Sequence, residues 1–146
     1  MKRVDVAYAL LYDRNKQNVL IVKNKRNPSS YYTLPGGAVE NDETLEEAAI
    51  REVKEETGLT IELEGLFVVS ENFFEVRGHH AIFFTFRGRS ADGSPTISIP
   101  EEIEEITWMD SKTAEKYAYI PMEVKVAINS KLIIPYILNG KVIYKA

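Results

Sequence analysis

The sequence predicts an α/β protein in which helices pack on a mixed β-sheet. Strand-like segments rich in β-branched and aromatic residues recur along the 146-residue chain, and one segment has the composition and end signals of a long helix. The segments intermix without a regular strand–helix–strand alternation, which argues against a purely parallel sheet. The length fits a single domain spanning residues 1–146.

The predicted strands are bounded by polar or glycine-rich turns. They comprise residues 4–12, 18–23, 61–70, 79–87 and 103–109. A polar turn over residues 13–16 joins the first two strands. After the basic loop 24–30, Pro35 is followed by Gly36 and Gly37. This combination predicts a turn, because proline and glycine interrupt regular elements.

The clearest helix covers residues 44–57. Thr44 and Glu47 form a capping-box pair at its start, and Gly58 is placed to end it. A further helix is predicted over residues 122–130.

Shorter elements are predicted towards the C-terminus. Asp110 or Ser111 caps a short helix that ends at Tyr117. The Asn139-Gly140 pair is a strong hairpin signal, so we expect a β-hairpin over residues 133–145.

Composition excludes several classes of protein and site. The chain has no cysteine, which excludes disulfide scaffolds, thiolate metal sites and cysteine nucleophiles. No apolar run approaches the roughly 18–20 residues of a membrane span, and Asp5 interrupts the N-terminal stretch that could suggest a signal peptide. We therefore expect a cytoplasmic protein without membrane partners.

The formal net charge of −4 hides an uneven distribution. Residues 1–39 hold seven basic and two acidic residues, whereas residues 40–64 hold ten acidic and two basic residues. Residues 101–105 add four more glutamates. An acidic segment between more basic flanks requires a physical explanation.

Three glutamates of the predicted helix lie on one arc of a helical wheel. Glu52, Glu55 and Glu56 share about 100° beside the apolar stripe, and the well-spaced ion pair of Glu47 with Arg51 lies on the solvent-facing side. A solvated acidic face would need no ligand, but a bound hard cation explains better why three carboxylates converge. Magnesium in proteins commonly binds carboxylates together with substrate phosphates, so the pattern indicates phosphate chemistry.

The spacing around these residues resembles the Nudix box. Gly37 is followed after five residues by Glu43, and after seven more by Arg-Glu-Val-Lys-Glu-Glu-Thr-Gly-Leu at residues 51–59. Every defining position of the box is present over the 23 residues 37–59. The chain therefore resembles the MutT-like Nudix hydrolase family, with weaker likeness from about residue 4 to about residue 108.

The resemblance implies a fold, a reaction and a set of site residues. The fold is an α/β/α sandwich with a mixed β-sheet and a loop–helix–loop catalytic motif. The reaction is hydrolysis of the pyrophosphate bond in a nucleoside-diphosphate-linked substrate, with Mg²⁺ or Mn²⁺ activating the attacking water and a glutamate removing its proton. Arg51 resembles the arginine that holds the glutamates, and Glu43 the residue that supports the loop. The implied metal ligands are the carbonyl of Gly37 and the carboxylates of Glu52, Glu55 and Glu56.

A second acidic cluster lies downstream of the box. Many Nudix relatives supply a further glutamate there as ligand or base, and the candidates are Glu101, Glu102, Glu104 and Glu105. Glu102 is the first choice and Glu105 the second. The alternative is an acidic loop that keeps a sheet edge soluble.

Three residues are candidates for substrate binding. Tyr32 lies where relatives often have an aromatic residue near the substrate, and it either stacks on a base or is partly buried. Arg26 in the basic loop either meets phosphates or is solvated. Phe74 either lines the pocket or belongs to the core at the end of a strand.

Substrate signals are mainly negative. ADP-ribose-type relatives carry a proline about fifteen residues after the box, and no proline occurs here between Pro35 and Pro95. The absences favour nucleoside triphosphates or modified nucleotides, with ADP-ribose or nucleotide sugars as alternatives. A non-catalytic nucleotide-binding regulatory module and a structural acidic helix without metal are the remaining alternatives. We expect a small nucleotide rather than a nucleic acid as partner, and a monomer or homodimer.

Overall fold

The computed structural model describes residues 1–90, 93–118, 120, 129, 131 and 133–144, with seven strands and two named helices in that part of the chain. In chain order, these elements are β1 (Lys2–Leu11), β2 (Asn18–Asn24), β3 (Tyr31–Thr33), β4 (Gly36–Ala38), α1 (Leu45–Thr57), β5 (Ile61–Phe74), β6 (His79–Ser90), β7 (Ile103–Asp110) and α2 (Ser111–Tyr117). The five strands predicted from alternation are all present, most of them longer than expected.

The strands form two sheets. One has the order β4-β1-β6-β5 and the other the order β3-β2-β7. β1 and β6 run parallel, while the other pairings are antiparallel. The mixed sheet that the irregular order of strands and helices predicted is therefore confirmed.

Alternate side chains of β1 face two different helices. Ala7, Ala9 and Leu11 lie in core clusters with buried residues of α1, whereas Leu10 lies in a cluster with Ala114 of α2. Successive residues of a strand point to opposite faces, so the two helices cover opposite sides of the strands. This arrangement is the predicted α/β/α sandwich.

The ends of the two helices are set by local contacts. The Thr44 hydroxyl accepts a hydrogen bond from the Glu47 N–H, and the Glu47 carboxylate accepts one from the Thr44 N–H, which confirms the capping box. Gly58 ends α1 in the left-handed conformation, with φ of 75°. Asp110 caps α2 by accepting a hydrogen bond from the Thr113 N–H. The helix predicted over 122–130 lies outside the described residues, except for residue 129.

The turn predicted at Gly36 and Gly37 is wrong. Both residues belong to β4, where Gly36 pairs with Tyr8 and Gly37 with Ala7. A Cβ on Gly36 would overlap the carbonyl oxygen of Ala7. The two glycines therefore allow an unusually close approach of β4 to β1, rather than a change of direction.

The hairpin predicted over residues 133–145 is not formed in the described residues. Residues 133–144 contain no strand apart from a bridge, in which the Ile134 N–H donates to the Leu66 carbonyl at 2.8 Å. Tyr136 packs edge-on against Phe86 at 5.9 Å. An isolated two-stranded hairpin is marginally stable in water, and here the contacts to β5 and β6 replace it.

Neither of the two described helices is long and apolar enough to cross a bilayer.

Candidate active site

Helix α1 brings Glu56 against the short strand β4. The Glu56 side chain is buried, with 7% of its surface exposed, and its Oε1 accepts a hydrogen bond from the Gly36 N–H at 2.9 Å. Burial, together with the nearby charges of Glu52 and Glu102, raises the pKa of Glu56 from 4.5 to about 8. A buried carboxylate that is destabilised in this way favours a bound cation.

Gly37 leaves room for the carboxylate of Glu52. A Cβ built on Gly37 would lie 2.6 Å from the carboxyl carbon of Glu52. Only a glycine therefore lets this part of β4 meet the glutamate side chain without displacing it. The backbone of β4 and the last two turns of α1 thus form the two sides of one acidic site.

Arg51 connects the carboxylates of the site. Its Nε and Nη2 donate to the two oxygens of Glu43 at 2.6 and 2.9 Å, which is a bidentate pair. Its Nη1 donates to Glu52 at 2.9 Å and to Glu55 at 3.2 Å. The predicted ion pair of Arg51 with Glu47 is wrong, because the Glu47 carboxylate is engaged in the capping box. Arg51 therefore bonds to three glutamates at once, namely Glu43, Glu52 and Glu55.

The donor set fits a divalent cation that prefers oxygen ligands. Burial also raises the pKa of Glu52, with Glu55 and Glu102 adding to the effect, although Arg51 opposes it. No group of three His, Asp or Glu side chains in the described residues stands at metal-binding spacing, since Glu52 and Glu55 bond to Arg51 and Glu56 bonds to Gly36. Carboxylate oxygens are the ligands that such a cation prefers.

The second acidic cluster divides its glutamates between different contacts. The charge of Glu102 helps to raise the pKa of both Glu52 and Glu56. Glu104 pairs with Lys23 at 3.1 Å, and Glu105 accepts a hydrogen bond from the Tyr32 hydroxyl at 2.9 Å. Glu101 is exposed. The electrostatic effect on Glu52 and Glu56 favours Glu102 among the four candidates.

A cavity of about 610 Å³ adjoins β4 on the face of the sheet opposite α1. Arg26, Tyr32 and Phe74 all line it, as does Gly37. The guanidinium of Arg26 lies 5.4 Å from the centre of the Tyr31 ring, and Phe74 is exposed rather than buried in the core. The three candidate binding residues therefore share one concave surface, which reaches the glutamates only through Gly36 and Gly37 of β4.

Sequence reasoning missed several residues of this cavity. Tyr8, Asn72 and Thr85 line it from β1, β5 and β6. Burial raises the pKa of Tyr8, and the charge of Glu56 adds to the rise. Within each strand, side chains alternate between the two faces of the sheet, and this alternation was the available signal for these residues. The sequence does not show which faces of the different strands lie on the same side of the sheet.

Comparison with known proteins decides the family. Residues 1–126 match the family model described as the NUDIX domain. The chain belongs to the Nudix family. The resemblance first seen in residues 37–59 is confirmed over most of the chain.

Two named relatives illustrate the range of Nudix proteins that this chain resembles. It is 48% identical over 63 residues to the ADP-ribose pyrophosphatase of Methanocaldococcus jannaschii, a match that covers 42% of this chain and 37% of that protein. It is 38% identical over 88 residues to the 8-oxo-dGDP phosphatase NUDT18 of Homo sapiens, covering 60% of this chain and 26% of that protein. The matched segments thus cover 37% or less of the length of these two relatives.

Solved structures support the Nudix fold independently. A MutT Nudix hydrolase from Burkholderia pseudomallei aligns with a TM-score of 0.71 and 23% identity, over 90% of this chain and 100% of that one. At this level of identity, the likeness establishes the fold alone.

Proposed function

We propose that this Nudix protein hydrolyses the pyrophosphate bond of a nucleoside-diphosphate-linked substrate with Mg²⁺ or Mn²⁺. The observation that carries the proposal is that Glu56 bonds to Gly36 and Glu52 lies against Gly37, two glycines that also line a cavity large enough for a nucleotide. A solvated acidic face does not explain why Glu56 is buried. A cation shared by these carboxylates does.

The residues that would hold the cation are those that the Nudix resemblance implies. They are the carboxylates of Glu52, Glu55 and Glu56 and the carbonyl of Gly37. When bound, Mg²⁺ or Mn²⁺ polarises the diphosphate and lowers the pKa of the attacking water.

The chain's own residues position these groups. Arg51 fixes Glu52 and Glu55 at one side of the site, and Glu43 fixes Arg51 through two hydrogen bonds. Glu102 is exposed, and its side chain makes no hydrogen bond within the described residues. It is therefore the carboxylate available to take the proton from the attacking water.

The cavity provides the binding surface for the rest of the substrate. Tyr32 and Phe74 offer aromatic faces to a base, and Arg26 offers a guanidinium to phosphates. The missing proline after the box favours nucleoside triphosphates or modified nucleotides, in keeping with the 8-oxo-dGDP phosphatase named above. The similarity to an ADP-ribose pyrophosphatase supports ADP-ribose and nucleotide sugars as the second candidates.

A non-catalytic nucleotide-binding module on the same scaffold is the alternative of another class. Such a module needs no complete set of box glutamates, whereas Glu52, Glu55 and Glu56 are all present here. The hydrolase is therefore the better explanation. A cytoplasmic location and a monomeric or dimeric state remain part of the proposal, to be tested by cell fractionation and by light scattering.

A substrate screen tests the proposal. The purified chain is incubated with nucleoside triphosphates, oxidised nucleotides, nucleotide sugars and ADP-ribose, with Mg²⁺ or with EDTA, and products are identified by mass. We expect metal-dependent hydrolysis of the P–O–P linkage in at least one of these classes of nucleotide. Nucleotide binding without turnover of any substrate would support the regulatory module instead.

A further inference from the structure

One wall of the cavity is built from alternate residues of three adjacent strands. Val4 of β1 lies beside Ala81 of β6, which in turn lies beside Asn72 of β5. The row that reaches Gly36 of β4 contains Tyr8 beside Thr85. Asn72 lies four residues along the strands and three strands across from Gly36, which amounts to about 13 Å by about 14 Å. It therefore lies at the far end of this wall from the acidic site.

The side chain of Asn72 faces the cavity. Glu71 and Phe73, its neighbours in β5, lie on the other face, where both contact His80. Among the residues that the structure describes, the Asn72 side chain makes no hydrogen bond. Asn24 also lines the cavity, but its amide already donates to the Thr33 hydroxyl at 2.8 Å. Asn72 is therefore an amide free to bind a ligand.

Three aromatic rings line the same cavity as this amide. Phe83 lies 5.3 Å from Tyr8 on one side and 6.3 Å from Phe74 on the other, so the three rings form a continuous aromatic strip along the cavity. Stacking on such a strip is tolerant of base identity, because every base has a π-face. An amide beside the strip supplies what stacking lacks, since it donates and accepts a hydrogen bond at once.

We propose that Asn72 binds the hydrogen-bonding edge of the substrate's nucleobase and sets the base preference of the enzyme. A base stacked on the aromatic strip presents a donor and an acceptor side by side to this amide. If a base lacks one of these groups, either the N–H or the oxygen of the Asn72 amide stays without a hydrogen bond. Binding of that base is therefore weaker. This inference rests on the function proposed above, since it assigns the base-recognition residue of the same site.

The test compares matched pairs of nucleotides. Each natural nucleoside triphosphate is paired with an analogue that lacks the exocyclic group of that edge, such as purine riboside triphosphate for ATP. We expect kcat/KM of the wild-type protein to be about 10- to 100-fold lower for the analogue of its preferred base. In Asn72→Leu the two rates should become nearly equal. Asn15→Leu, at an exposed turn, is the control and should keep the wild-type ratio.

A binding measurement separates this inference from the proposed function. Titration calorimetry with the same nucleotide pairs, in Ca²⁺ to slow turnover, should show the same preference in the wild type and its loss in Asn72→Leu. Asn72→Asp keeps the shape but offers only acceptors, and should also lose the preference. An unchanged base ratio in both variants would overturn the role of Asn72. Selective binding without any turnover would overturn the hydrolase and leave Asn72 as the base-recognition residue.

Discussion

Removal of the Glu56 charge should change how the stability of the metal-free protein depends on pH. In the folded protein the pKa of Glu56 is raised from 4.5 to about 8, mainly by burial. Between these values the folded state binds a proton that the unfolded state has released, so its stability falls as the pH rises. At about 1.4 kcal/mol for each pH unit, full burial of the charge corresponds to roughly 5 kcal/mol. The ionised side chain can turn towards water, which lowers this cost. We therefore expect the wild type to lose about 2–5 kcal/mol of folding free energy through Glu56 as the pH rises.

The variant Glu56→Gln isolates this effect, because glutamine keeps an oxygen that accepts from the Gly36 N–H. Urea unfolding followed by Trp108 fluorescence, in EDTA at pH 5 and pH 9, gives the two free energies of unfolding. We expect wild type and variant to be similar at pH 5, and the variant to be more stable at pH 9. Glu46→Gln, at an exposed position of the same helix, should follow the wild type. Identical pH dependence of wild type and Glu56→Gln would refute the reasoning.

Three further substitutions test the supports of the site. Gly37→Ala places a Cβ where the Glu52 carboxylate lies. Calorimetry should therefore show about tenfold weaker Mg²⁺ binding, and an unchanged affinity would contradict the role of Gly37 in positioning Glu52. Arg51→Lys cannot reproduce the bidentate pair with Glu43, and urea unfolding should show a loss of about 1–3 kcal/mol; a loss near zero would mean that the pair is not stabilising. Thr44→Ala removes the helix cap and should cost about 1 kcal/mol, whereas the exposed Ser29→Ala should cost nothing measurable.

The parts of the site that the sequence predicts are those determined locally. Helix α1 begins at a Thr44–Glu47 capping box and ends at Gly58 because these residues act within one or two turns. The Nudix box at residues 37–59 was predicted by its resemblance to a known family rather than by local rules. Local rules were sufficient for the ends of α1, where the contacts are local.

The partner of Arg51 shows where local rules stop. The spacing to Glu47 suits a helical ion pair, but Glu47 bonds to the Thr44 N–H and Arg51 turns to Glu43 in the preceding loop. Competition between two partners for one side chain depends on the path of the loop, which helical spacing does not contain. The Asn139-Gly140 signal failed similarly, because residues near it contact the sheet instead.

The cavity could not be predicted because its wall depends on strand register. Tyr8, Asn72 and Thr85 line one cavity only because β1 runs parallel to β6 while β5 pairs with β6 in the opposite direction. Each strand alone shows alternation, and a shift of one residue would turn the other face to the cavity. Register is therefore the information that the structure adds to the sequence.

The central claim is that the glutamates of α1 hold a divalent cation that is required for pyrophosphate hydrolysis. The most direct test is the turnover rate of the preferred nucleotide as a function of Mg²⁺ concentration, for the wild type, Glu56→Gln and the control Glu46→Gln. We predict saturable Mg²⁺ activation in the wild type and the control, and at least a hundredfold lower rate in folded Glu56→Gln at every Mg²⁺ concentration, on the order of the loss of a key catalytic group. Turnover by the wild type in EDTA, or near-normal turnover by Glu56→Gln, would contradict the claim.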